Sequence, residues 1–457
     1  MKTIPDNLPD DISELKSLLL SEREKVAALE ARNNILEELF RLAQQKQFGK
    51  SSEAHPEQGD LFNEAEEIAD DVIAPEVETI NYTRNKPKRQ ALPKDLPREV
   101  RIHDLTDAEK FCDCCGEGLH PMGEKKSEQL EFIPAQVKVI ENIRLQYSCR
   151  TCEKQGTKTT IKIAPVPLSP IPKSIATPSL LSQIITSKYQ YSLPLYRQES
   201  LFKQHGIILN RKTMSEWVIK CATLFKPIIE HLHRYLLLQH IVQADETTVN
   251  VLSEDKAKCY MWVYCTGNDS PTDNEVKNIV LYDYQKSRAG SCAVDYLKGM
   301  TGALQADGYK GYEQVDAELA GCWAHARRKF IEAQTAQPKN KTGRADWAIR
   351  HIKKLYKIEA EIKALSADEK QIIRQEKSKP LLTEFKQWLD KSQQQVLPKS
   401  AIGKAIQYNL NQWEKLNRYI ENGALNIDNN RAERAVKPFV IGRKNWMFSN
   451  TVSGANA

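Results

Sequence analysis

Apolar residues recur along this chain with several distinct rhythms, and each change of rhythm predicts a change of structure. From Ile12 the repeat is seven residues long. Ile12, Leu19, Val26, Asn33 and Phe40 take one seam position, and Leu15, Glu22, Leu29, Leu36 and Ala43 take the other. Eight of these ten are apolar and no glycine or proline interrupts the run before Gly49, so residues 1–49 read as a coiled-coil helix that pairs with a second copy. Asn33 is then a buried amide able to set register; the competing reading is an amphipathic helix folded onto its own chain. Residues 50–100 keep no period. Between Glu128 and Cys149 the pattern alternates like strands, and from Thr177 to Gln239 it turns helical. Past His240, "HIVQADETTVNVL", "KCYMWVYC" and "NIVLYDY" read as consecutive strands, followed by a helix near Ser291 to Lys298 and a further strand in "GALQAD". Helical spacing returns over 336–424, and 425–446 reads as a turn and a helix.

At 457 residues the chain predicts several domains, since one core usually serves about 100 to 200 residues. Its net charge of +6 hides segregation: residues 53–78 hold ten acids and no Lys or Arg, whereas "RNKPKR" (84–89) holds four bases. That composition makes 50–100 a charged linker, with a basic arm for a polyanion as the second reading. The N-terminus lacks a signal-peptide core and no run of about 18 apolar residues occurs, which predicts a cytoplasmic protein with no membrane partner. Ten cysteines in a reducing compartment point to metal ligands or buried thiols, not disulfides.

Cys112 and Cys115 form one CxxC pair and Cys149 and Cys152 another, 33 residues apart, with Cys114 as an extra thiol. Two such knuckles facing each other give four thiolates around one structural Zn2+ with no open position for catalysis, which makes 101–165 a zinc-binding β module. Within 166–239, a helix, a break at Gly206 and a second helix from about Asn210, with Trp217 and Ile219 on its inner side, form a helix-turn-helix layout. Its second helix presents Arg211, Lys212 and Ser215 to a DNA major groove; a purely structural helix hairpin is the alternative.

Three strands, a helix and a parallel strand open a ribonuclease-H-like α/β sheet over 240–335. Asp245 lies on its first strand and Asp307 ends its fourth, side by side in that topology. Two adjacent carboxylates repel each other and invite a hard cation such as Mg2+. A third acid from a later helix would let the set hold two ions about 3.5 to 4 Å apart, the arrangement for in-line phosphoryl displacement. Glu433 is the candidate, 126 positions beyond Asp307, with the all-helical insertion 336–424 between and 425–457 as the second part of the core. Asn430 and Glu433 also have the spacing of a capping box, and Glu433 and Lys437 that of a helical ion pair. Asp428 is a competing acid, Asp283 and Asp316 read as surface acids, and Glu246 points to the face opposite Asp245.

"QADETTV", "LQADGYKGY", "GCWAHARRKF" and "IDNNRAERAVKPFVIGRKNW" resemble the successive motifs of the insertion sequence 66 family of bacterial transposases. The preceding order, a zipper ending in "FGKSSE", a four-cysteine module and a helical DNA-binding region, resembles the same family over nearly the whole chain. The resemblance implies a multidomain α+β enzyme, a DDE transposase with Asp245, Asp307 and Glu433 on the catalytic acids and Mg2+ or Mn2+ as cofactor. It acts on element terminal inverted repeats and target DNA as a nucleoid-associated homo-oligomer, a dimer through the coiled coil. Family members usually continue further past the "GRKNW" motif, which leaves a truncated, non-catalytic DNA-binding protein as the alternative. Cys322 and His325 in "CWAH" read as a packed thiol and a helix-start histidine, because two ligands alone make a poor zinc site. The sharper alternative puts His325 against the scissile phosphate. Arg327, Arg328, Arg443 and Lys444 are the candidate phosphate contacts.

Overall fold

The computed structural model describes residues 11–48, 137–147, 162–165, 168–256, 258–267, 278–336 and 343–457. Cys112, Cys115, Cys149 and Cys152 lie outside the described residues, as does the linker 50–100. The chain divides into two compact units, Pro75–Pro165 and the remainder. In the smaller unit, β1 (Gln146–Tyr147) pairs antiparallel with β2 (Lys162–Ile163), and Arg144 donates to the Ala164 carbonyl at 3.0 Å. The alternating run before it, 137–145, forms no ladder among the described residues.

In the larger unit, α1 (Ile12–Phe48) is one continuous helix. The apolar seam stands exposed along it: Ile12, Leu19, Val26, Leu29, Leu36 and Phe40 are each at least half accessible. The helical region contains α2 (Pro178–Tyr189), α3 (Leu195–Gln204) and α4 (Arg211–Leu237). Thr177 caps α2 by accepting from the Leu180 N–H, and Asn210 caps α4 by accepting from the Lys212 N–H. Between α3 and α4, Gly206 takes φ +74°, a left-handed conformation that glycine adopts without a Cβ clash. Leu181, Ile184, Phe202, Met214, Trp217 and Val218 close a core between the three helices. Val218, not Ile219, is the buried neighbour of Trp217; Ile219 is half-buried.

The five-stranded sheet follows. It contains β3 (Ile241–Val249), β4 (Cys259–Cys265), β5 (Val280–Gln285), β6 (Ala303–Gln305) and β7 (Glu318–Ala320), in the order β5-β4-β3-β6-β7. The first three strands pair antiparallel; β6 joins β3 in parallel after the crossover helix α5 (Gly290–Tyr296), and β7 joins β6 in parallel. Alternation decides what each face meets. On one face Val242, Ala244, Trp262, Tyr264 and Leu304 pack with Leu236 of α4 and Ala293 of α5. On the other, Val263 packs with Val436 and Val440 of α12 (Asn430–Trp446).

Between the sheet and α12 the described chain is helical: α6 (Trp323–Thr335), α7 (Arg344–Glu361), α8 (Ala367–Ile373), α9 (Lys379–Gln393), α10 (Ala401–Asn411) and α11 (Trp413–Asn417). Their core joins Trp323, Phe330, Ile352, Leu355, Phe385, Leu389 and Ile406 with Ala303 and Ala320 of the sheet. A π-helical turn, Arg374–Ser378, links α8 to α9 and buries Arg374, whose guanidinium forks onto Glu359 at 2.8 and 2.6 Å and reaches the Tyr419 carbonyl at 2.8 Å. The chain returns to the sheet through Ile427, whose carbonyl accepts from the Trp323 N–H, and ends in α13 (Val452–Asn456).

Candidate active site

The two "QAD" motifs explain how the acids of β3 and β6 meet. Gln243 and Gln305 are register partners on parallel strands, both are buried, and Gln243 Nε2 donates to Gln305 Oε1 at 2.8 Å. Gln305 Nε2 donates in turn to the Asn426 carbonyl at 2.6 Å, which ties the segment leading into α12 to the same point. Asp245 and Asp307 each follow their glutamine by two residues, so a strand period of two carries both toward one side of the sheet. Asp307 lies just beyond β6, where its Oδ1 accepts the Tyr309 N–H at 2.9 Å. Gly308 allows the close approach of the helical layer: a Cβ there would stand 2.7 Å from Tyr408 Oη.

Glu433 reaches the site from the first turn of α12 and is only 5% accessible. The capping box expected from Asn430 and Glu433 does not form. Asn429 occupies the N-cap position without a capping side-chain bond; its Nδ2 donates instead to the Ala244 carbonyl at 2.8 Å, locking the helix start onto β3. From the first turn of α12 the charge of Glu433 acts on Asp245. Arg328 Nη2 approaches its Oε2 at 3.9 Å, and His325 Nδ1 approaches its Oε1 at 3.5 Å.

Electrostatics tie the acids together. Asp245 is held well above the usual carboxylate range, first by burial and then by the charges of Glu246, Asp307 and Glu433. Asp428 is not among those charges; its Oδ1 accepts the Asn430 N–H at 3.2 Å, and its charge acts on Cys322 and Tyr356. Glu246 takes the opposite face, where it accepts from Tyr312 Oη at 2.6 Å and from Arg288 Nε at 2.8 Å. Burial, then Asp307, raises its pKa against the pull of Arg288. Asp316 is exposed, but Asp283 is half-buried, and burial raises its carboxyl. Asp283 is therefore not the surface acid that its sequence context suggests.

Asp245 is a buried acid under the repulsion of three neighbouring carboxylates, which positive charge among them would relieve.

The remaining candidates lie in distinct places. Arg211 and Lys212 are exposed at the start of α4, and Ser215 is half-buried one turn on. Arg327 is half-buried on α6, and Lys444 is exposed near the end of α12. Arg443 turns inward, donating to the hydroxyls of Thr247 at 3.1 Å and Thr248 at 2.9 Å and to the Thr248 carbonyl. Burial, and then Arg328, lowers the His325 imidazole to about 4. Sequence reading missed Arg288, Tyr312 and Asn429; their partners lie 42, 66 and 107 positions away, beyond the reach of local patterning.

The sequence model of the Transposase IS66 family matches residues 173–457, which include the sheet, the helical layer and α12. The chain belongs to the IS66 family of transposases. The zinc-finger binding domain of the IS66 transposase matches residues 109–153, spanning all four cysteines of the two CxxC pairs, and the family described as Transposase C of IS166 homeodomain matches 35–101. Two uncharacterised proteins of Sinorhizobium fredii are similar to this IS66 family chain. One, y4jD, is 30% identical over 98% of the chain and 88% of its own length; the other, y4hP, is 32% identical over 82% of the chain and 70% of its own length. Among the described residues, no helix is long and apolar enough to cross a membrane.

Proposed function

We propose that this IS66 family protein is a DDE transposase that cuts DNA at the ends of an insertion sequence and joins those ends to target DNA. Asp245, Asp307 and Glu433 act as its catalytic acids on a ribonuclease-H-like core. What carries the proposal is the action of the Asp307 and Glu433 charges, from the end of β6 and the first turn of α12, on one buried carboxyl group of β3, Asp245. The strand order β5-β4-β3-β6-β7, with a parallel crossover into β6, supports the ribonuclease-H-like reading.

The three carboxylates would hold two Mg2+ or Mn2+ ions. When bound, those ions activate an attacking oxygen and stabilise the leaving one in phosphoryl displacement. The chain's own residues fix the donors. Gln243 and Gln305 hold the two strands in register, and Asn429 holds the start of α12 against Ala244. Arg328, beside Glu433, supplies a positive charge and hydrogen-bond donors for a phosphate entering the site. His325, neutral at pH 7 because of burial, can donate to or accept from that phosphate without adding charge. Arg327 and Lys444 extend the phosphate path, and Arg211, Lys212 and Ser215 serve the terminal repeat. Arg443 braces α12 instead.

Away from the core, Cys112, Cys115, Cys149 and Cys152 would hold one structural Zn2+, a reading supported by the match to the family's zinc-finger domain and by the four-thiol donor set. The exposed seam of α1 supports a dimer through the N-terminal helix.

The test is strand cleavage and joining on a labelled duplex carrying the element's end, with Mg2+ or Mn2+, comparing the chain with Glu433→Gln. Gln keeps the size of the side chain and removes its charge. Cleavage should fall by at least about 100-fold while DNA binding persists. Cleavage that survives Glu433→Gln removes Glu433 from the catalytic set. DNA binding without cleavage in the parent chain would instead favour a non-catalytic end-binding protein.

A further inference from the structure

The carboxylate set has a neighbour of different chemistry. Cys322, His325 and Glu433 each offer one ligand atom, and these atoms all lie within 4.8 Å of one another. The cluster is built by two helix starts: Cys322 is the N-cap of α6 and His325 follows three residues later on the same side, while Glu433 comes from the first turn of α12. Its parts are already oriented. Cys322 Sγ accepts the Asn429 N–H at 3.2 Å, the kind of backbone donation that supports a sulfur ligand. His325 Nδ1 is buried, makes no hydrogen bond and is 3.5 Å from Glu433 Oε1. Arg328 approaches the other carboxylate oxygen, Oε2, so Oε1 is the one turned toward the imidazole.

A thiol, an imidazole and a carboxylate form a donor set that Mg2+ does not use. Hard cations take oxygen ligands and keep their waters, whereas sulfur and nitrogen donors select zinc and its neighbours in the transition series. Three protein ligands with a fourth position open is a common zinc arrangement, and tetrahedral zinc bonds of about 2.0 to 2.3 Å set ligand atoms about 3.5 Å apart. His325 Nδ1 and Glu433 Oε1 already stand so, and the wider separations, up to 4.8 Å, must close on binding. On binding, the Cys322 thiol gives up its proton to solvent and the ion takes the sulfur as thiolate.

We propose that Cys322, His325 and Glu433 form a second zinc site, distinct from the four-cysteine module, and that filling it draws Glu433 out of the catalytic carboxylate set. Zinc is then an inhibitor of the reaction. The site itself stands on the cluster's geometry; only its inhibitory consequence rests on the catalytic reading of Glu433.

The experiment separates the two. The full chain is first loaded with zinc, washed with a mild chelator to leave the tightly held four-cysteine ion, and titrated with Co2+. A single saturable thiolate-to-cobalt charge-transfer band, with the visible absorption of a tetrahedral ion, is expected in the parent chain. It should be lost in both Cys322→Ser and His325→Gln, with far-ultraviolet circular dichroism confirming that each variant is folded. Elemental analysis of the zinc-loaded chains before the chelator wash should find one zinc equivalent more in the parent chain than in Cys322→Ser. No band in the parent chain, or a band that survives Cys322→Ser, overturns the proposal. In parallel, added Zn2+ should suppress Mg2+-dependent strand cleavage at concentrations that fill the cobalt-accessible site. A chain that binds Co2+ at Cys322 yet never cleaves DNA sinks the catalytic reading and leaves the metal site standing. A chain that cleaves and is indifferent to zinc while the site is filled overturns the inhibitory role.

Discussion

The Gln243–Gln305 pair should behave as one buried unit, and a double-mutant cycle can measure it. Gln305→Met keeps an unbranched side chain of similar length but removes two short hydrogen bonds and one long one: Gln243 Nε2 loses the acceptor it now meets at 2.8 Å, the Asn426 carbonyl loses the donor at 2.6 Å, and the Gly321 carbonyl loses its weaker contact at 3.4 Å. Each buried polar group left unmatched costs about 1 to 3 kcal/mol, so the single change should destabilise the core by about 2 to 6 kcal/mol. Gln243→Met alone strands Gln305 Oε1, at about 1 to 3 kcal/mol. In the double variant neither amide remains to be stranded across the strands, so its cost should fall short of the sum by the two groups spared, about 2 to 6 kcal/mol. Urea unfolding followed by tryptophan fluorescence reads these differences, since Trp262 and Trp323 are buried in the two cores that flank the pair. An additive cycle, with coupling below about 0.5 kcal/mol, would refute the idea that the glutamines hold β3 and β6 in register through each other.

Other positions give further tests. Arg374→Met leaves the Glu359 carboxylate without its buried forked partner and should cost about 3 to 5 kcal/mol in the same unfolding assay. Gly308→Ala places a Cβ against the Tyr408 ring and should displace the Asp307 loop, lowering strand cleavage by up to about 100-fold with DNA binding intact; Tyr408→Ala in the same chain should restore part of it. Lys188 lies 4.3 Å from the Tyr189 ring and 4.1 Å from the Trp446 ring, and burial lowers its pKa to about 8. Between about pH 8 and pH 10.5 the unfolded chain therefore binds the extra proton, so stability should rise with pH across that window and be lowest below it. Melting temperatures at pH 7.5 and pH 10 should show that rise in the parent chain and not in Lys188→Met, with the cation–π contacts offsetting about 1 kcal/mol of the change.

Much of the core was legible because strands and helices announce themselves by period. The alternation in "HIVQADETTVNVL" and "KCYMWVYC" corresponds to β3 and β4, and the two "QAD" motifs correspond to neighbouring parallel strands. What stayed hidden depends on contacts made across long stretches of chain. The spacing of Asn430 and Glu433 fits a capping box and equally fits a first-turn acid facing inward; only the Asn429 bond to the Ala244 carbonyl, 185 positions away, decides between them. Arg443 resembles a phosphate ligand in sequence, and its turn toward Thr247 and Thr248 becomes visible only once α12 is laid along β3. Cys322 and His325 form a poor ligand pair by themselves, and folding supplies Glu433 as their third. The cysteines of the zinc module lie in a stretch where spacing and the family match speak for the site.

The way α12 is fastened to β3 bears on how the chain tolerates change. Near its start Asn429 bonds to Ala244, near its end Arg443 bonds to Thr248, and beyond it Ser449 bridges to Val251. The helix is thus pinned at both its ends along the very strand that carries Asp245, and the chain just past each is tied once more. The spacing between Asp245 and Glu433 is set by this short strand-to-helix ruler, while the 126 positions between Asp307 and Glu433 form a loop whose two ends are clamped. Insertions or deletions among the outer turns of α7 to α9 can therefore change the reach and shape of the protein around DNA without altering the gauge between its acids.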